Sequence, residues 1–324
     1  MSQSIASLES KQRQSLNAIA ALVSGITAVS FAAIFIRFSE QEIGPYATIA
    51  HRFWMATVAL AAWEGGKRLY SLWIKSNQAT ETQATHEFHE SPTFSSSDWG
   101  LLLLAGSITG VDMAVWALSL TQTSVANSTV LANLAPLFTA LGSWVLWKQR
   151  FEARYWIGLA LALGGAFTIG LGDLQLGHWQ GDAIALLSAV LFSAYLLTLE
   201  RLREKLSATV LLLSCSGIAA VVTTGISLSL EQQFFPSSLK GWLAVIGLAL
   251  VSQTIGQGLV TYSLDRLSSG LVAMTFLLEP AIAAVVAWIL FSEALSVVNL
   301  AGFTLVIVGV YQALSSPSAI KEDK

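Results

Sequence analysis

The chain has 324 residues, 54% of them hydrophobic and only 11% charged, with a formal net charge of −3. A soluble domain carries about 25% charged residues, so the pair of water-soluble domains that length alone suggests is excluded, and no basic surface points to nucleic acid. The single cysteine, Cys215, excludes disulfides within the chain and leaves no thiolate set for a metal.

A spanning helix needs roughly 20 mainly apolar residues. Ten stretches qualify: 16–38, 45–66, 99–120, 124–147, 155–172, 181–202, 207–230, 240–263, 268–291 and 297–314. Ahead of the first run lies a polar segment with Lys11 and Arg13. The run itself lacks a small-residue cleavage site at its end, so it reads as a retained spanning helix rather than a signal peptide. The second span carries His51 and Arg52. A polar stretch follows at 67–97, rich in Ser, Thr, Gln and Glu, and reads as a solvated cytoplasmic loop. Within it, His86-Glu87-Phe88-His89-Glu90 lacks the His-Glu-x-x-His spacing of zinc proteases, so no metal site is expected. The third span holds Asp112 and Trp116, the fourth Thr129, Asn133 and Pro136, and the eighth Gln253 and Gln257. The ninth holds Glu279 next to Pro280. Residues four apart share a helix face, so these polar pairs either line an aqueous cavity or bond between helices. Trp54, Trp116, Trp144 and Phe276 are aromatic candidates for cavity walls, with core or lipid contact as the plainer reading.

The runs repeat. Ser119–Ser124 (Ser-Leu-Thr-Gln-Thr-Ser) parallels Ser263–Ser268 (Ser-Leu-Asp-Arg-Leu-Ser), and the same shift of 144 places Pro136 on Pro280, Gly158 on Gly302 and Gly165 on Gly309. A shift of 164 places Ser24 on Ser188 and Arg37 on Arg201; the 20 extra residues of the first copy fit in the insertion at 67–97. The expected architecture is an all-α polytopic membrane protein of ten transmembrane helices in two five-helix repeats, 16–172 and 181–314. Five is odd, so the second copy must be inverted. With the N-terminus inside, fourteen of the seventeen Lys and Arg fall on the cytoplasmic side, Arg37 and Lys240 outside, and Arg52 within a span. This bias implies a multi-pass inner-membrane protein with both termini cytoplasmic. Lys148-Gln149-Arg150 after the fourth span aligns with Ser292-Glu293-Ala294 after the ninth, so basic charge disappears where the loop changes side. Inverted repeats place a substrate site near the midplane, between halves that rock to alternate access.

Ionisable groups in hydrocarbon cost roughly 2.5–3.5 kcal/mol each on insertion scales, so each needs a reason. At about 1.5 Å per residue, Arg52 and Asp112 both lie about 10 Å below the outer boundary. The expectation is a structural Arg52–Asp112 ion pair; the sharper alternative is that one of them binds a substrate charge or a proton. Glu279 lies near the midplane beside Pro280, whose missing N–H kinks the helix. It either recognises substrate or proton, or only holds the kink. The substrate-binding candidates are Asp112, Trp116, Asn133, Gln253 and Glu279, with Pro136 and Pro280 shaping the paired helices. The glycines seven apart, Gly158/Gly165 and Gly302/Gly309, are read as close helix contacts.

Phe276-Leu277-Leu278-Glu279-Pro280, followed by Ala287-Trp288, Glu293, Gly302 and Gly309, resembles the second repeat of EamA-type permeases in the drug/metabolite transporter superfamily. Arg52-Phe53 and Ala135-Pro136-Leu137-Phe138 are similar to the family's first-half segments, and the resemblance spans 16–314 apart from the insertion. Gln149-Arg150 departs from the family's Glu-Arg, so the role of that acid is lost in the first repeat. The resemblance implies a secondary transporter of a small metabolite, an amino acid or related compound, with export as the expected direction. A coupled proton or ion is compatible, and no cofactor is expected. The alternatives are a non-transporting membrane scaffold or an intramembrane enzyme. The enzyme lacks a paired catalytic set, since His51 is the sole histidine of the spans and their one lysine, Lys240, stands at the outer edge of its span.

Overall fold

The computed structural model describes residues 2–78, 95–170, 177–291 and 296–316. Its regular elements are helices: α1 Ser2–Ser30, α2 Ala32–Ser39, α3 Pro45–Gln78, α4 Ser96–Leu120, α5 Val125–Ala132, α6 Ala135–Trp147, α7 Ala153–Gly170, α8 Trp179–Arg203, α9 Ala208–Leu230 and α10 Leu239–Gly247. A π-helical segment, Leu248–Gln257, leads into α11 Gly258–Ser263, α12 Ser269–Thr275, α13 Leu278–Phe291 and α14 Val297–Leu314. Among the described residues, eight stretches are long and apolar enough to cross a membrane: Arg13–Ser39, Ser96–Leu120, Asn127–Trp147, Trp179–Arg203, Ala208–Leu230, Leu239–Ser263, Ser269–Leu290 and Val297–Leu314. The chain is therefore a multi-pass membrane protein. Its outer surface agrees: Leu103, Val145, Ile157, Val221, Ile289 and Ile307 are all exposed, an apolar belt that water would not tolerate. Helices satisfy their own backbone in lipid.

α3 and α7 stand where the second and fifth spans are expected. α3 departs from expectation by continuing past residue 66 to Gln78, into the stretch expected to be a loop. Residues 67–78 contain no Pro or Gly and are largely good helix formers, so propensity overrides their polarity. The remainder of the insertion, with His86 and His89, lies outside the described residues, as does Glu293.

Three spans are interrupted. α1 gives way to α2 at Phe31, α5 to α6 at Asn133–Leu134, and α12 to α13 at Phe276–Leu277. Pro136 and Pro280 each stand in the first turn after a break. Pro280 has no N–H for the Phe276 carbonyl, which accepts instead from the Glu279 N–H at 2.9 Å. The two interrupted helices also start alike, with the Ser124 and Ser268 hydroxyls accepting from the N–H groups of Asn127 and Leu271.

Packing follows the small residues. α7 lies along α14, α3 along α9 and the π segment, and α4 along α8 and α9. A Cβ on Gly158 would stand 2.5 Å from the Gly309 carbonyl oxygen, and one on Gly165 2.6 Å from that of Gly302. The α7 and α14 backbones are therefore in direct contact, the geometry that glycine permits between membrane helices. Gly25 and Gly256 do the same between α1 and the π segment. The main core gathers Leu22, Ile26, Tyr155, Leu159, Leu196, Leu199, Leu264, Leu271 and Met274.

Candidate substrate site

Arg52 sits on the buried face of α3 beside Phe53. Its Nε donates to the Gln253 Oε1 at 2.7 Å, and the Gln253 Nε2 donates to the Ser216 Oγ at 3.4 Å. Gln253 is in the middle of the π segment, where the wider turn replaces the usual i→i+4 ladder; such segments recur at functional sites. One buried glutamine thus joins α3 to α9. Beyond it, Glu279 is half-buried at the start of α13, immediately after the break. Its N–H is used, but its carboxylate has no hydrogen bond or ion pair among the described residues. The charge that bears on it is Arg52, at longer range than an ion pair.

Asp112 lies on the buried face of α4. It is 1% exposed; its Oδ1 accepts from the Ser188 Oγ at 2.6 Å, and its Oδ2 has no partner among the described residues. An orphaned buried oxygen of this kind costs free energy and needs an explanation. The buried Tyr195, seven residues along the same face of α8 from Ser188, is within electrostatic reach of both Asp112 and Arg52.

The expected Arg52–Asp112 ion pair is not formed: Arg52 bonds Gln253 and Asp112 bonds Ser188. Equal depth sets height in the membrane but not azimuth. α3 packs chiefly on α9 and the π segment, whereas α4 packs on α8 and α9, so the two side chains turn to different neighbours. Trp116 and Asn133 are both half-buried. No hydrogen bond ties the Trp116 indole or the Asn133 amide to the Arg52–Gln253 pair. Gln257 is buried, and its Oε1 has no partner among the described residues. Of the aromatic candidates, Phe276 is inside, edge-on to Phe192 at 5.1 Å, while Trp54 and Trp144 are exposed on the outer surface of the bundle. His51 bonds the Ala47 carbonyl and packs against Phe234, Phe235 and Trp242, apart from the charged centre. Among the described residues no group of three or more His, Cys, Asp or Glu is placed to hold a metal. A shallow apolar depression of about 500 Å³ between α2 and α10 is lined by none of the candidate residues.

Sequence reasoning missed Tyr195 and Ser188 on α8 and Ser216 on α9, which look like ordinary bundle residues. It also missed the carboxylates that tie the ends of the bundle. At one end, Glu231 accepts from the Tyr46 and Ala47 N–H groups at 2.9 and 2.7 Å, capping α3. Glu42 accepts from the Ser237 and Ser238 N–H groups and from the Ser238 hydroxyl, capping α10. These bonds hold the exposed Glu42 carboxyl below the usual carboxylate range, the Ser238 side chain contributing most. At the same end Asp182 accepts from Thr123 and Asn127. At the other end Lys205 holds Asp98 at 2.8 Å, and Glu200 accepts from the Ser269 N–H at 3.0 Å.

The chain is thus an apolar helical bundle with buried Arg52 and Asp112 side chains and with interrupted helices before Pro136 and Pro280, the build of a multi-pass membrane protein. Comparison with known proteins agrees: the model of the EamA-like transporter family matches residues 16–171 and 179–315. The chain belongs to that family, and it is a small-molecule membrane transporter rather than an enzyme. It is similar to the pseudopaline exporter CntI of Pseudomonas aeruginosa, 22% identical over 64% of this chain and 72% of that protein. It is also similar to the uncharacterized transporter YcxC of Bacillus subtilis, 22% identical over 93% of each. A solved crystal structure superposes with a TM-score of 0.74 at 16% identity, covering 93% of this chain and 96% of that one, and so shares the fold.

Proposed function

We propose that this transporter is a secondary carrier built of ten spans in two inverted five-helix repeats, 16–172 and 181–314. It would move a small metabolite by alternating access through the centre between them. The observation that carries the reading is the Arg52–Gln253 bond joining α3 to the π segment, within electrostatic reach of a Glu279 carboxylate that has no hydrogen bond or ion pair among the described residues. Charge that is neither paired nor needed for packing is what a substrate can use.

The inverted arrangement has reciprocal support. If Gly158 corresponds to Gly302 and Gly165 to Gly309, a two-fold axis requires that Gly158 meet Gly309 whenever Gly165 meets Gly302, and both contacts occur. Likewise α4 on α8 is matched by the π segment on α1. Sidedness has support as well. Glu42 bonds Ser238, two positions that the positive-inside bias puts outside. Asp98 bonds Lys205 and Arg154 bonds Gln312, positions it puts inside. An inner-membrane location with both termini cytoplasmic follows on this reading.

In the proposed cycle, Arg52 attracts an anionic group and Glu279 or Asp112 a cationic one. Gln253, Asn133 and Trp116 contribute polar and aromatic wall, and the breaks before Pro136 and Pro280 let the helix halves move. An amino acid or related compound fits such a centre, and the name of the Pseudomonas relative favours export. Either carboxyl could carry a coupled proton. Screening purified protein against a metabolite panel for thermal stabilisation tests this. A stabilising compound whose effect is lost in Glu279→Gln supports the site; stabilisation indifferent to Arg52, Asp112 and Glu279 substitutions refutes it.

A further inference from the structure

α3 is longer than a membrane needs. Its 34 residues extend about 50 Å at 1.5 Å per residue, against a hydrocarbon core of about 30 Å. Measured from Pro45, the surplus begins near Gly65 and Gly66. At neither glycine would a Cβ meet any atom within 4 Å. No close helix approach therefore requires this pair, and adjacent glycines weaken the helix where it leaves the core.

Past them, Leu69, Tyr70, Leu72 and Trp73 are 62–69% exposed, and the rings of Tyr70 and Trp73 stack on each other at 6.3 Å. At 3.6 residues per turn these four share one arc of the helix, and Lys67, Arg68 and Ser71 the opposite arc. Lys67 is half-exposed and its partner Glu64 precedes the segment. Residues 67–78 contain Lys67, Arg68 and Lys75 and no acid.

We propose that residues 67–78 form an interfacial element on the inner leaflet, bending at Gly65–Gly66, with Leu69, Tyr70, Leu72 and Trp73 in the headgroup–acyl boundary and Lys67 and Arg68 on anionic phospholipid headgroups. An aromatic apolar arc, a basic arc and the absence of acid are the chemistry of that surface. A protein partner would have to cover the same arc with apolar groups while balancing the cations. The bilayer does both, directly beside the point where the helix leaves it. The assignment to the inner leaflet rests on the topology proposed above.

The test uses the full chain with the buried Cys215 left in place and the unlabelled wild type as blank. Single cysteines replace Leu69, Trp73, Arg68 or Ser71, each spin-labelled after reconstitution in three parts phosphatidylethanolamine to one part phosphatidylglycerol. Collision with oxygen, which concentrates in the bilayer, is compared with collision with a water-soluble nickel chelate. Oxygen should dominate at 69 and 73 and the chelate at 68 and 71, and the contrast should shrink in phosphatidylcholine alone or with Lys67→Gln. Chelate dominance at all four positions overturns the proposal, because the helix then projects into water. Low collision with both reagents at 69 and 73 also overturns it, since a protein surface, whether residues 79–94 or a second copy, would then cover the arc. A membrane-impermeant thiol reagent should reach Ser71→Cys only from the cytoplasmic side. Reaction only from outside would refute the topology and the leaflet, whatever the collision ratios.

Discussion

At the α7–α14 seam the two halves of this molecule are interchangeable, and at its centre they are not. Along the seam, Gly158 opposes Gly309 and Gly165 opposes Gly302, so each half brings the same residue to the same place. At the centre, the register that aligns the repeats sets Arg52 against Ser216, Asp112 against Gly256 and Glu279 against Ala135. The shape-defining contacts are held in both copies, while each ionisable group survives in one. Gln253 shows where the two regimes meet: it bonds both Arg52 and Ser216, the two residues that the register equates.

The seam should break hardest. Gly165→Leu drives a side chain into the α14 backbone and should destabilise the purified protein by about 3 kcal/mol or more, an overpacking cost that α14 cannot relieve by moving a side chain. Gly225 in α9 has nothing within 4 Å of its Cβ position. Gly225→Ala should be neutral or stabilising by about 0.4–1 kcal/mol. Equal melting shifts for the two variants would show that the seam is not a backbone contact.

The centre should yield smaller, more selective effects. A double-mutant cycle of Arg52→Gln with Gln253→Leu should return a coupling of about 1.5–3 kcal/mol, the range for hydrogen bonds to charged groups. The cycle of Arg52→Gln with Asp112→Asn should be additive within about 0.5 kcal/mol, because these residues do not touch. Strong coupling in the second cycle would restore the ion pair that equal depth suggests and the structure does not form.

At the end of the bundle, Glu231→Gln weakens the cap on α3 and should cost about 1 kcal/mol, measured by thermal unfolding. Glu42 offers a pH readout. Its folded-state carboxyl titrates below the unfolded one, so the stability it lends is complete above the usual carboxylate range and is lost as pH falls through its depressed value. Melting curves of wild type and Glu42→Gln should therefore converge on acidification; a gap that widens would contradict the cap.

The helical fold, the close glycine contacts and the helix break before Pro280 were legible because each depends on local chemistry: apolar length, absence of Cβ, and a missing proline N–H. The pairings at the centre were not. Depth along a helix can be counted from sequence, but which neighbour a side chain faces depends on how helices pack around it. Arg52 and Asp112, expected to pair, bond Gln253 and Ser188 instead. Tyr195 and Ser188 escaped notice because nothing in α8 itself marks them; Ser188 matters because it bonds Asp112, and Tyr195 because it lies within electrostatic reach of Asp112 and Arg52. The extension of α3 to Gln78 escaped because polarity was read as loop where helix propensity prevailed.

The central claim is that Glu279 serves the transported molecule rather than the kink beside Pro280. The most direct measurement is proteoliposome transport of a metabolite that stabilises the protein, followed across pH for wild type and Glu279→Gln at matched insertion and melting temperature. Glutamine preserves size and hydrogen bonding while removing charge and titration. The account predicts that transport by the variant falls to background, or loses its pH dependence. Wild-type rates with an unchanged pH profile would show that Glu279 is structural.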